Sequence, residues 1–302
     1  MTLKGPDAHS DRFLNDLAAI NQRIGQATRE ISSGRRINTA SDAPDEISHL
    51  LSLRSSLSAT VQSKANLGRV QTEVDTSERA LSHAVDVLDR VQVLGAQGGT
   101  DLLDADVRRT LSGEVEQLLG QLVNAANTEI AGRFVFAGDT DQTPPYSFDP
   151  SQDDAVSDYG GATTTRQVGH PSGSRFAVSK SASTIFEAAE PENNVFGAVN
   201  ALRNALRDSD AAAVRSALTQ VRTAAKYLNS QQSFYGGVQN QVTEATDYAE
   251  KQIVLIKQQL SGVEDADVTA AILELKDATQ RQELALAAES RRPRSTLFDY
   301  LR

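Results

Sequence analysis

The sequence predicts a mainly α protein: an elongated bundle of long helices with coiled-coil-like terminal helices and a small β-rich insertion. Three observations carry that prediction. Aromatic residues make up only 5% of the 302 residues, with no Trp and one Met. A thick core of large side chains is a poor fit to that composition, whereas Ala, Leu, Val, Gln and charged residues suit long helices joined by thin apolar seams. Apolar residues recur at alternating spacings of three and four over most of the chain. Finally, Gly, Pro, Thr and aromatic residues concentrate in one central stretch, from Ile130 to Ser183.

The first element follows from Phe13, Leu17, Ile20, Ile24, Ala27 and Ile31, whose spacings of 4, 3, 4, 3 and 4 draw one apolar line along a helix. The line stops at Gly34, a residue that adopts the left-handed conformation of a helix C-terminus at little expense. The stretch "SSGRRINTASDAPDE" at 32–46 then reads as a stop, a short connector and a restart. Asp42 can accept hydrogen bonds from free amides of the next turn, Pro44 has no amide to satisfy there, and Asp45 and Glu46 favour the positive end of a helix dipole. A phosphate loop is excluded, because a helix rather than a strand precedes the glycine and no lysine follows at the required spacing.

A second helix from about residue 43 to 94 carries Leu67, Val70, Val74, Ser77, Leu81, Ala84, Leu88 and Val91. A helix of about 55 residues would be about 80 Å long. "GAQGGTDLLDAD" at 95–106 interrupts it, and Val107, Leu111, Val115, Leu118 and Leu122 run back to about residue 130, an antiparallel pair. The central insertion contains strand-sized runs at Arg133 to Ala137 and Arg175 to Val178. Helical periodicity returns at Val195, pauses at "RDSDA", and continues from about 210 to 262 through Val214, Leu218, Val221, Ala225 and Leu228, then Ala249, Ile253, Ile256 and Leu260. Gly236 and Gly237 are expected to weaken this helix locally. "SGVEDADV" at 261–268 is a second break, capped by Asp265 or Asp267, and Val268, Ile272, Leu275 and Leu286 mark a last helix. The expected segments are thus a terminal helix at 1–33, a linker at 34–45, bundle segments at 46–130 and 193–262 flanking a β-rich domain at 131–192, and a second terminal helix at 263–302.

The chemistry classes narrow quickly. A net charge of −10 with scattered basic residues argues against nucleic acid. No stretch approaches the ~20 apolar residues of a membrane span, and the N-terminus lacks the apolar core of a cleaved signal. The face-value location is cytoplasmic, unless export uses an uncleaved route. There is no cysteine, and His9, His49, His83 and His170 have no partners at ligand spacing, so neither metal nor cofactor is expected. "EDAD" at 264–267 lacks the glycine and final glutamate of a calcium loop, and no G-x-S-x-G elbow is present, so no catalytic residue is expected. What stands out is apolar surface. Phe13, Leu17, Ile20, Ile24 and Ile31 at one end, and Ile272, Leu275, Leu286, Leu297, Phe298, Tyr300 and Leu301 at the other, exceed what two paired helices cover. They form a candidate assembly interface.

These residues carry a family resemblance. "ISSGRRINTASDAPDEISHLLSLRSSL" resembles the N-terminal signature of the flagellin family, and "LSGVEDADVTAAILELKDATQRQ" resembles its C-terminal counterpart. The middle, "ANTEIAGRFVFAGDTDQTPPYSF", and the ending "LFDYL" are similar to the hook-associated branch, whose members join flagellar hook to filament. The resemblance implies a structural, non-enzymatic protein that is exported without a cleaved signal and assembles outside the cell in the flagellum. It implies partners: further copies of the chain, the other hook-associated protein, flagellin and an export chaperone. It also implies that Gly34, Ile37, Asn38, Ser41 and Asp42 form the linker between inner-tube and outer-tube domains, with the terminal helices inside. The alternatives are filament flagellin itself and, from composition alone, a cytoplasmic coiled-coil scaffold. The sequence departs from the family at its polar start "MTLKGPDAHSD" and at "SRRPRS", 290–295, which would shorten the last helix.

Overall fold

The alternating spacings become helices α1 (Ala8–Ser33), α2 (Ile47–Gly98), α3 (Ala105–Ala126), α4 (Val195–Arg207), α5 (Ala211–Glu264) and α6 (Val268–Ser290) in a computed structural model that describes residues 8–291, with side chains from Asp11 onward. Several boundaries are set by side chains that occupy free helix amides. Asn194 Oδ1 accepts from Gly197 N at 2.7 Å, and Asp210 Oδ1 accepts from Ala212 and Ala213 N at 2.9 and 3.0 Å. Asp267 Oδ1 accepts from Thr269 and Ala270 N, both at 3.0 Å, so Asp267 rather than Asp265 caps the last helix.

The chain divides into two compact units, one from residues 1–59 and 252–302 and the other from residues 60–251. In the 60–251 unit, the α2 line Leu67, Val70, Val74, Ser77, Leu81, Ala84, Leu88 and Val91 is entirely buried. Ser77 is tolerated in it because its hydroxyl donates to the Glu73 carbonyl at 2.8 Å. Val214, Val221, Leu228, Tyr235, Val238 and Val242 of α5 belong to the same core. Polar pairs fix an antiparallel course: Lys64 meets Glu250 at 2.8 Å, Gln239 donates to Asp75 at 2.9 Å, Gln232 to Glu78 at 3.0 Å, and Arg215 to the Gly99 carbonyl at 3.0 Å.

Two glycines expected to end α2 lie inside it. Gly95 and Gly98 are helical, and a Cβ on Gly95 would stand 3.0 Å from both Leu202 and Leu218, while one on Gly98 would meet Leu206 at 2.2 Å. Both are sites of close helix approach, and the helix ends only after them. Arg108, buried on α3, then receives the chain: it donates to the carbonyls of Gly98 at 3.1 Å, Thr100 at 2.7 Å and Ser209 at 3.3 Å. Likewise Gly236 and Gly237 do not interrupt α5, which is continuous through both. A helix supported on one face by a core absorbs the roughly 1 kcal/mol that each glycine costs relative to alanine.

The insertion carries two short antiparallel pairs, β1 (Glu129–Ile130) with β2 (Arg133–Phe134), and β3 (Gln167–Gly169) with β4 (Arg175–Ala177). The first expected strand is cut short because Ala137 N turns back to the Phe134 carbonyl and Gly138 takes φ +65°. The second loses only its last residue. The scarce aromatics concentrate where this insertion meets the helices. Phe136 lies edge-on to Phe186 and Tyr235 at 6.4 and 6.1 Å, and Phe186 stacks on Phe196 at 5.2 Å. Such pairs add roughly 0.5–1.5 kcal/mol beyond area burial.

Glu187 ends a single π-turn, Ser183–Glu187, beside this cluster. Its partial burial, with Asp158 and Asp154 nearby, holds its carboxyl above the usual range. A carboxyl whose folded pKa is raised stabilises the fold below its unfolded pKa and loses that contribution as pH rises through the folded one. Glu187→Gln should therefore melt at a higher temperature than the parent chain near pH 7, with the gap closing by about pH 4. Equal melting temperatures at both pH values would contradict this assignment.

Candidate assembly site

The unit formed by residues 1–59 and 252–302 is built on the pairing of α1 with α6. Gln282 donates to Asn21 at 2.8 Å and Arg23 lies 3.9 Å from Glu274, which sets the two helices antiparallel. On α1 the expected line is the inward one: Phe13, Leu17, Ile20, Ile24 and Ile31 are partly buried and Ala27 fully so. On α6 the inward line is different from the one read in the sequence. It runs through Ala271, Leu275, Ala278, Gln282 and Ala285, at spacings of 4, 3, 4 and 3. Ile272 and Leu286 stand to its side, 52% and 49% exposed. Leu297, Phe298, Tyr300 and Leu301 lie outside the described residues.

The α1–α6 contact is therefore thin on the α6 side, with a single large aliphatic residue in five. Meanwhile Leu14, Val268, Ile272, Leu273, Leu284 and Leu286 remain in water. Full burial of one such side chain is worth roughly 1.5–3 kcal/mol. More apolar stabilisation is thus available from surfaces outside this pair than the alanine line draws from within it.

The connector after α1 is ordered in every turn. Gly34 has φ +69°, and its amide donates to the Glu30 carbonyl at 2.9 Å. Asn38 Nδ2 donates to the Arg35 carbonyl at 2.8 Å, Thr39 and Ser41 share a hydroxyl bond of 2.9 Å, and Ile37 is buried. Asp42 does not cap the following helix. Its carboxylate reaches backward to the amides of Thr39 and Asn38, at 2.7 and 2.9 Å. Those amides hold its carboxyl below the usual range. The restart is carried by the backbone instead, with Ile47 N donating to the Ala43 carbonyl at 3.1 Å.

The two breaks in the helical pattern, distant in sequence, are hydrogen-bonded to each other. Arg36 N donates to the Glu264 carbonyl at 2.7 Å and Ala266 N to the Gly34 carbonyl at 3.0 Å, so that Arg35 and Asp265 form an antiparallel bridge. Around it, Glu264 pairs with Arg35 and Arg54, and Arg36 pairs with Glu46. The pairing of these five charged residues did not figure in the sequence reading. The visible signal was only that two polar breaks mirror one another, one bearing Arg-Arg and the other a run of acids.

Among the described residues no group of three His, Asp or Glu side chains is placed to hold a metal ion, and no helix is long and apolar enough to cross a membrane. The unit presents paired end helices, an ordered joint and exposed aliphatic side chains.

Such helical ends, one from each terminus, flank the central insertion. A family model described as the bacterial flagellin N-terminal helical region matches residues 9–141, and one described as the bacterial flagellin C-terminal helical region matches residues 218–301. The chain belongs to the flagellin family. Flagellin B of Helicobacter pylori is 30% identical over 108 residues, 36% of this chain and 21% of that protein. Flagellar hook-associated protein 3 of Escherichia coli is 26% identical over 194 residues, 60% of this chain and 61% of that protein. The chain thus spans less than two thirds of the length of each of these relatives. Among solved structures, the flagellar junction protein of Legionella pneumophila shares the fold with a TM-score of 0.55 at 18% identity, covering 65% of this chain and 99% of that one.

No neighbouring atom lies within 4 Å of where a Gly34 Cβ would sit, so a substitution there meets a conformational penalty and no clash. Gly34→Val should destabilise the connector by about 1–2 kcal/mol, and Gly34→Asn by less. Native-state hydrogen exchange over residues 30–42 would report it, with residues 67–91 unchanged. Unaltered exchange in the valine variant would contradict the left-handed assignment.

Proposed function

We propose that this chain is a structural subunit of the bacterial flagellum, a hook-associated junction protein that connects hook to filament by copolymerising with neighbouring subunits. The observation that carries the reading is the short insertion, which begins directly after α3 and is back in helix at Val195. That layout accompanies a match over 61% of hook-associated protein 3, against 21% of Flagellin B. The filament-flagellin reading is favoured by the 30% identity to Flagellin B, but that match covers only 108 residues.

On this reading the protein has no catalytic role. It leaves the cell without a cleaved signal, escorted by an export chaperone, and functions outside it between another hook-associated protein and flagellin. The segments at 1–33 and 263–302 form the inner part of the tube, and the joint at 34–45 links them to the bundle segments 46–130 and 193–262, which flank the insertion at 131–192. The assembly interface extends from the α1 and α6 lines to the aliphatic side chains beside them. Ile272 and Leu286 are exposed and accessible to a neighbouring subunit, whereas Phe13, Leu17, Ile20, Ile24, Ile31 and Leu275 mainly hold the pair together.

Deleting the gene should leave hooks without filaments and release flagellin into the medium, as seen by electron microscopy and by immunoblotting of the culture supernatant. Filaments of normal number and length in the deletion strain would overturn the junction assignment.

A further inference from the structure

Glu264 is the last residue of α5 and only 3% exposed. A carboxylate at that end of a helix faces the negative pole of the dipole, and burial adds desolvation, so it needs strong compensation. Compensation comes from two other elements. Its Oε1 lies 2.7 Å from Arg35 Nε in the connector and 2.8 Å from Arg54 Nη2 on α2.

The main chain is tied at the same point. A helix leaves its last carbonyls without intrahelical donors. Here the Val263 carbonyl is taken by Arg36 Nη2 at 2.8 Å, and the Glu264 carbonyl by the Arg36 amide at 2.7 Å. The Ala266 amide completes the pairing on the Gly34 carbonyl at 3.0 Å. The end of α5 is capped by the connector, and the connector is held by the end of α5. Neither break has a complete set of hydrogen bonds without the other.

We propose that Glu264 is a positioning residue that makes the two breaks one joint, so that the segment leaving α1 and the segment entering α6 loosen together. A subunit with such a joint presents both terminal helices at once or neither. The exposure of the partners makes the ionic cluster asymmetric. Arg35 and Arg54 are 57% and 43% exposed and stay solvated if Glu264 is neutralised. Removing both arginines leaves the carboxylate buried without a counter-charge, which is the more damaging change.

The test is hydrogen exchange on the isolated full-length chain, which does not depend on the flagellar reading. Glu264→Gln should raise exchange at the Arg36 and Ala266 amides in parallel, by about tenfold or more, with amides of residues 67–91 unchanged. Arg54→Ala, a change at a half-exposed side chain, should also raise both amides. Arg35→Ala combined with Arg54→Ala should raise them further than Glu264→Gln does. Faster exchange at Ala266 with Arg36 unchanged, no change at either amide, or a milder effect of the double arginine variant would overturn the proposal.

Discussion

The larger unit depends on how closely its helices approach. A core built from Leu, Val and Ala, with aromatic side chains gathered at one site, buries little area per residue and must compensate by bringing helix axes near to one another. The Gly95 and Gly98 positions permit this, since a methyl group at either would press on Leu202, Leu218 or Leu206. Once that approach is secured, the line from Leu67 to Val91 can be wholly buried. The Arg108 guanidinium then closes the end of α2 and fixes the turn into α5. The insertion is anchored separately by the Phe136, Phe186, Phe196 and Tyr235 rings.

The smaller unit follows the opposite rule. Its α6 helix turns alanine toward α1 and leaves Ile272, Leu273, Leu284 and Leu286 in water. Its order comes instead from polar pairing at the joint, where two helix ends satisfy each other's hydrogen bonds. This division of labour suits a subunit that has to keep apolar surface available for neighbours while holding its own terminal segments in register. Charge pairing gives orientation without using the exposed aliphatic side chains proposed for the assembly interface.

How much of this was legible in the sequence depended on residue size. The α2 seam could be read because most of its inward sites carry Leu or Val, which kept the line visible through Ser77 and Ala84. On α6 the inward line holds Leu275, which the sequence did show, but its other sites are Ala271, Ala278, Gln282 and Ala285, and a periodicity argument is drawn to the larger Ile272 and Leu286 beside them. Glycine misled in two ways: Gly95 and Gly98 mark close packing, and Gly236 and Gly237 are carried by the helix around them. Asp42 has the composition of a forward cap, yet its geometry closes the preceding turn. The contact of Glu264 with Arg35 and Arg54 spans most of the chain and follows no local spacing rule. The family resemblance, by contrast, rested on two contiguous signatures, and both fall inside the matched regions at 9–141 and 218–301.

The central claim is that this flagellin-family chain acts at the boundary between hook and filament, and its position on the organelle tests that most directly. Immunogold labelling of intact flagella with an antibody against residues 131–192 should give one narrow band at the distal end of each hook. Gold distributed along the whole filament, or absent from the external structure, would contradict the account.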